Sequence, residues 1–488
     1  MPVTRPVLAQ KTRICKLGWV KEEGVMEGFS LKDALSATKG EWVGKTDPET
    51  LLPTGGSIDT RSLKHGNLFF ALPGERVDGH QFLGAAFNNG AMAAIVSRKW
   101  YASQSHIDWG PLIVVDAPDL AMGDVARNYR KHFHIPVIGI TGSTGKTTTK
   151  DMAATVLGTR YNVLATEGNL NNHLGVPLMM FRLSKHHQVA VIEMGISKHN
   201  ELRYLCEIAQ PTIGIITNIG PTHLEFLGSV EGVAKAKGEL LEYLDESSMT
   251  ILNLDDLLLS KERAKVKGRL LGFGIEQICQ FRGEGLNLDQ KGCSHFSLQG
   301  FSFHLPIPGR HNVYNALAAA AAGSALHISL ETASEALAQF TPSKLRSQEL
   351  LQNGITLIND AYNANPASMR AAIDTLASIE PTKNGRRIAV LGDMLELGDS
   401  ANQAHRELGA GVAAKKIDHL FALGPLSYLV AEGAQKTGMS VKNACAFTDR
   451  DALIKTLTEN IRTGDVILAK GSRGLAMEQV IKAMGFVI

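Results

Sequence analysis

The chain has no cysteine pair. Its five cysteines, Cys15, Cys206, Cys279, Cys293 and Cys445, are scattered without any C-x-x-C spacing, which excludes a zinc ribbon or dithiol motif and fits a reducing compartment better than a disulfide framework. An excess of charge is also missing. Fifty basic against 48 acidic side chains leave a formal +2, so nucleic-acid binding has no support and an anionic substrate must be met by local groups. No apolar run reaches bilayer length: the most apolar window, 316–326, is broken by Gly323 and Ser324 and falls short of the roughly 20 residues a membrane span needs. Residues 1–26 are basic and free of acid until Glu22 but have no secretory apolar core, and read as a disordered N-terminal extension. A soluble cytoplasmic protein of two to four domains is expected from 488 residues that are 44% hydrophobic.

The most informative segment is also marked by something missing. Val137-Ile-Gly-Ile-Thr-Gly-Ser-Thr-Gly-Lys-Thr-Thr-Thr149 runs from an apolar strand into a glycine-rich turn, yet the strict Walker pattern fails because Ile140 stands where its first glycine belongs. The parts of a phosphate cradle are all there. Gly142, Ser143, Thr144 and Gly145 let successive N–H groups face phosphate oxygens, Lys146 adds a mobile cation, and Thr147 and Thr148 place hydroxyls at a helix start, Thr147 suited to a magnesium shell. A plain strand-to-helix turn with a solvated lysine is the alternative, and the strand before and helical 151–157 after weigh against it.

Hydrophobic periodicity divides the chain into three α/β parts. Residues 27–130 read as a small α/β domain, with a helix over 29–36 and strands at 58–61, 67–72 and 91–97. Residues 131–342 read as a central ATPase domain on a mostly parallel sheet: strands at 189–194, 212–217 and 250–254 alternate with helices, short strands follow from 269 to 308, and an alanine-rich helix covers 312–326. Residues 343–488 alternate strands at 355–359, 387–392, 420–424 and 465–469 with helices. That is a Rossmann-like unit whose first strand lacks a phosphate loop.

Four constellations in the central part can carry chemistry. Glu193 ends a strand, and a carboxylate at the C-terminal tip of a parallel strand lies beside the phosphate crevice, where it suits magnesium. His223 follows another strand end at the same edge, where an imidazole can bind a second metal or orient substrate; taken alone, such a histidine is more often an idle loop residue. Lys235 and Lys237 fall on a helix after that loop and by default form a solvated face. Asn169, Asn171 and Asn172 offer amide donors and acceptors to a polar substrate, although asparagine-rich turns also exist for backbone geometry alone. Asn253 and Asp255 read as a turn after a buried strand.

Together these segments resemble the Mur ligases of peptidoglycan synthesis, over about 29–488. The markers are Thr141-Gly-Ser-Thr-Gly-Lys-Thr-Thr148, Asn169-Leu-Asn-Asn172, Glu193-Met-Gly195, the stretch 218–225, Pro308-Gly-Arg-His-Asn-Val-Tyr-Asn-Ala-Leu317, Asn359-Asp-Ala-Tyr-Asn-Ala-Asn-Pro366, Gly392-Asp-Met-Leu-Glu-Leu-Gly398 and Lys470-Gly-Ser-Arg473. They fit the branch that adds D-alanyl-D-alanine. The resemblance implies an ATP-dependent, magnesium-dependent amide ligase, a monomer, joining D-alanyl-D-alanine to UDP-N-acetylmuramoyl-tripeptide through an acyl phosphate. It implies that Asp59, Thr60 and Arg61 with 67–75, together with Asn169, Asn171 and Asn172, meet the UDP-substrate. It further implies that Thr147, Glu193 and His223 hold two magnesium ions, that Asn312 contacts adenine, and that Arg346 and Asp360 contact ribose and phosphate from the last domain. Lys146, His223 and Lys237 are the implied catalytic residues, Lys237 as a carbamate, with Lys235 two positions away as the other candidate. The third residue of the tripeptide, lysine or diaminopimelate, stays open.

Three other readings carry their own discriminators. The ligase adding the third amino acid is expected to show Asp-Tyr-Ala-His where this chain has Asp360-Ala-Tyr-Asn363, and lacks support for that reason. A folylpolyglutamate synthase shares the phosphate loop but not a uridine-nucleotide domain like 58–75. A nucleotide-driven switch would hydrolyse ATP without a peptide acceptor.

Overall fold

The computed structural model describes residues 25–488 except 75–76, 105–108 and 383. Most of the expected extension, and Glu75 of the expected uridine pocket, lie outside the described residues. Met26, assigned to that extension, is buried and donates its N–H to the Pro53 carbonyl.

Three sheets follow one another along the chain. The first has five strands in the order Glu41–Val43, Leu112–Val115, Ala93–Ser97, Leu68–Phe70, Gly56–Ser57, all parallel except the first pair. The stretch 58–61, expected as a strand, is instead a turn: the Asp59 carboxylate accepts from the Arg61 N–H at 2.9 Å, a local bond that competes with any ladder. Helix Pro118–Arg130 ties this sheet to the next. It starts with proline at its first position, where no donor is lost, and buries Met122, Val125, Ala126 and Tyr129. The Tyr129 hydroxyl donates to the Leu183 carbonyl at 2.7 Å, and Arg130 Nε to that of Ala209 at 3.0 Å. One hydrophobic core therefore runs from Phe29 and Phe70 through Phe181 to Ile192. Phe70 and Phe181 stack across it at 5.6 Å, an arrangement worth about 0.5–1.5 kcal/mol beyond its area.

The central sheet has nine strands: Phe301–Pro308, Cys293–Leu298, Phe281–Leu288, Arg269–Gly274, Met249–Asn253, Ile213–Ile216, Val137–Thr141, Val189–Glu193, Val163–Ala165. From Phe281–Leu288 onward the neighbours are parallel. Its middle strands are buried along their whole length, as a sheet covered on both faces requires. Ile140 pairs with Glu193 and Thr141 with Ile216. That register brings the phosphate loop, Glu193 and the loop leading to His223 to one edge.

The last sheet runs Gln348–Gln352, Ile355–Asp360, Val466–Lys470, Arg387–Gly392, His419–Leu423, Ala444–Phe447, parallel except for its first pair. Gln348–Gln352 and Ala444–Phe447 escape the pattern reading. Both are edge strands, the first half-exposed and mostly polar, so neither shows the buried run that marks a central strand.

Candidate active site

Two glycines let the phosphate loop take its path. At Gly142, with φ 147°, an added Cβ would meet Thr217 Oγ1 at 1.9 Å; at Gly145, with φ 80°, it would meet Asn315 Oδ1 at 2.4 Å. The loop is clamped from behind. Ser143 N–H donates to the Asn218 carbonyl at 3.0 Å, Thr144 N–H to Asn218 Oδ1 at 2.9 Å, and Thr217 Oγ1 to the Thr144 carbonyl at 2.6 Å. Helix Lys146–Leu157 begins directly at Gly145, so its free N–H groups and positive dipole end point into the loop.

Two lysines and a carboxylate define the electrostatics. Lys146 Nζ donates to the Gly142 carbonyl at 2.8 Å. Burial pushes its pKa down, Glu193 pulls it back up, and Arg346 depresses it further. Lys237, on helix Val230–Tyr243, is 2% exposed; burial above all, and then Lys146, hold its amine well below the usual lysine range. The default of a solvated face holds for Lys235, which is exposed, and fails for Lys237. Glu193 is equally buried. Its Oε1 accepts from Asn171 Nδ2 at 2.8 Å and its N–H donates to Thr166 Oγ1, while Oε2 has no partner among the described residues.

That orphaned carboxylate oxygen beside the phosphate loop fits a hard divalent cation. No group of three or more His, Cys, Asp or Glu side chains is placed to hold a metal ion among the described residues. A cation here would therefore take its remaining oxygens from phosphate, water and the Thr147 hydroxyl, the pattern magnesium favours.

His223 and the last part of the chain face each other across this edge. His223 Nδ1 lies 2.6 Å from Glu396 Oε2. Burial, then Lys146 and Lys237, lower the imidazole pKa against the opposing pull of Glu396; facing a carboxylate oxygen, an acceptor, Nδ1 is the nitrogen that carries the donated proton. Arg346 lies 3.7 Å over the Tyr362 ring and donates through Nη2 to Thr147 Oγ1 at 3.1 Å. Asp360 accepts from Ser347 N–H at 3.1 Å and from buried Lys470 at 2.6 Å. Asn312, 2% exposed, donates to the Pro308 carbonyl and accepts from Asn315, whose Oδ1 in turn accepts from Thr149.

The remaining sequence candidates are spread more widely. Asp59 and Arg61 form a bidentate pair that holds the carboxyl at about 2, and the Thr60 carbonyl accepts from Asn89; no hydrogen bond or ion pair joins this turn to the phosphate loop among the described residues. Asn171 reaches the reaction edge through Glu193. Asn172 spends its oxygen on the N–H groups of Leu174 and Gly175, and Asn169 is exposed. Glu396, Lys470, Asn218 and Tyr362 received no role from the sequence, although all lie in segments it singled out. Glu396 and Lys470 sit at or just past strand tips of the last sheet, where the rule that found Glu193 applies equally.

Known proteins match along almost the whole chain. Family models match at 54–136 (Mur ligase family, catalytic domain), 140–323 (Mur ligase middle domain) and 345–473 (Mur ligase, glutamate ligase domain). The UDP-N-acetylmuramoyl-tripeptide--D-alanyl-D-alanine ligase of Bacillus subtilis is 38% identical over 457 residues, 93% of this chain and 97% of the relative. The crystal structure of MurF from Acinetobacter baumannii superposes with a TM-score of 0.84 at 33% identity, covering 93% of this chain and 98% of that one. MurF ligase from Thermotoga maritima in complex with ADP gives 0.77 at 26% identity, covering 88% and 96%.

Proposed function

Because this chain belongs to the Mur ligase family, we propose that it is the cytoplasmic ligase that uses ATP to join D-alanyl-D-alanine to UDP-N-acetylmuramoyl-tripeptide. The observation that carries this reading is the near full-length match to that ligase type. The phosphate loop, an unpaired buried carboxylate oxygen and His223 at one sheet edge support it. ATP and a UDP-linked precursor assign the reaction to the cytoplasm.

The tripeptide carboxylate attacks the γ-phosphorus, ADP leaves, the amine of D-alanyl-D-alanine attacks the acyl carbon, and the tetrahedral intermediate expels phosphate. No protein nucleophile is required; the residues align three substrates and hold charge in place. The N–H groups of Gly145–Thr148 at the helix start cradle the phosphates, those of Ser143 and Thr144 being held by Asn218, and Lys146 stabilises charge on the group being transferred. Thr147, Glu193 and His223 would hold two magnesium ions, which when bound would neutralise phosphoryl charge. Lys237 supports a carbamate: burial and Lys146 hold its amine well below the usual lysine range, which favours the free amine whose nitrogen attacks the carbon of carbon dioxide and loses a proton, leaving a carboxylate ligand in place of a basic group. Arg346 and Asp360 reach the nucleotide from the last part, and Asn312 meets adenine. Arg346 with Asn365, which lies 3.5 Å from the Ser143 carbonyl, flanks the loop and limits water there. Asp59, Thr60, Arg61, Asn169, Asn171 and Asn172 serve the UDP-substrate.

Phosphate release should require both the UDP-tripeptide and D-alanyl-D-alanine. Steady release without a peptide acceptor would instead identify a nucleotide-driven switch. Arg61→Ala is expected to raise KM for the UDP-tripeptide with KM for ATP little changed, because a guanidinium suits a diphosphate and this one makes no hydrogen bond or ion pair with the phosphate loop among the described residues. An equal rise in both constants contradicts the assignment.

A further inference from the structure

The contact between His223 and Glu396 joins the central part to the last at the reaction edge, and nothing in the scheme above assigns it a task. Both residues have positive φ, 54° and 60°, a region crowded for any residue bearing a Cβ and frequent at functional sites. Each turn is fixed from its own side. His223 opens the short helix Leu224–Leu227, its carbonyl accepting from the N–H groups of Phe226 and Leu227. On the other side, Met394 N–H donates to His405 Nε2 at 3.1 Å and Leu395 N–H to Ser472 Oγ at 2.9 Å, while Gly398 lies against Glu225. Two strained backbones are thus held so that one ring nitrogen meets one carboxylate at 2.6 Å. With Nδ1 engaged, Nε2 is the nitrogen left for a ligand, and it has no partner among the described residues.

We infer that Glu396 is a positioning residue: through Nδ1 it fixes the tautomer and ring orientation of His223, so that Nε2 becomes a competent ligand only when the 393–398 loop is docked on the central part. The inference rests on the metal-binding reading of His223 given above. A carboxylate behind a ligating histidine ordinarily contributes 10- to 100-fold in metal affinity.

Manganese(II) binding to the full-length protein with ADP present, followed by electron paramagnetic resonance, tests this without turnover. Glu396→Ala is expected to weaken manganese binding by about 10- to 100-fold, with Glu396→Gln, which keeps the packing and loses the charge, weakened less. In a His223→Ala background, Glu396→Ala should cost nothing more. An undiminished effect in that background overturns the inference in favour of a packing role. So does unchanged binding in both Glu396 variants while His223→Ala weakens it. If His223→Ala itself leaves manganese binding intact, the metal reading of His223 falls and this inference falls with it. Should Glu396→Ala fail to fold, Glu396→Gln carries the same comparison.

Discussion

Lys146→Ala is expected to abolish useful ligation, lowering kcat by roughly 10²- to 10³-fold, about 3–4 kcal/mol of transition-state stabilisation, while the protein stays folded. Two magnitudes separate these outcomes. In the fold, the Lys146 ammonium makes one hydrogen bond among the described residues, to the Gly142 carbonyl, and such a bond contributes a net of about 1 kcal/mol. Its burial opposes its charge, so removal also relieves a desolvation cost. On the proposed mechanism the same ammonium would face charge developing on a transferring phosphoryl group, where fixed electrostatic contacts contribute most. Thermal melting beside steady-state kinetics checks both halves. A variant that turns over at the wild-type rate contradicts the assignment, and one that no longer folds contradicts the energetic argument.

Lys237→Ala is expected to lose activity by two orders of magnitude or more, with partial recovery on adding formate or acetate. A lysine 2% exposed, with Lys146 near enough to depress it further, is a poor resident as a cation and a good one as a carboxylate among cations. If the working group is the carbamate, a small carboxylate can occupy the space left by the deleted side chain. No rescue at any carboxylate concentration would show that the amine itself is what matters. The same burial fixes the sign of a pH effect in carbon-dioxide-free buffer. The folded pKa lies below the 10.5 of an exposed lysine, so the unfolded chain binds more protons between the two values, and stability rises with pH across that window. Lys237→Met should remove this slope and raise the melting temperature at neutral pH.

Sequence and structure agree where burial and function write the same pattern. Val137–Thr141, Val189–Glu193 and Ile213–Ile216 are buried on both faces, so they read as apolar runs, and the residues at their tips could be taken from position alone. Legibility fails where one side chain settles the local structure. The Asp59 carboxylate turns 58–61 away from the strand that its composition suggests. Gln348–Gln352 is an edge strand with too little burial to show. Glu396 was hidden for a third reason. Its place just past a strand tip marks it as a candidate, but its partner lies 173 residues away, a separation at which neither periodicity nor spacing says what it meets.

The central claim is that the tripeptide carboxylate is activated as an acyl phosphate, and oxygen tracing tests it most directly. UDP-N-acetylmuramoyl-tripeptide bearing heavy oxygen at both positions of its terminal carboxylate is turned over with ATP and D-alanyl-D-alanine, and the released phosphate is weighed by mass spectrometry. The account requires one heavy oxygen in each phosphate, the other remaining in the new amide. Unlabelled phosphate accompanying amide product would mean that water, not the carboxylate, receives the phosphoryl group, and would contradict the assigned chemistry.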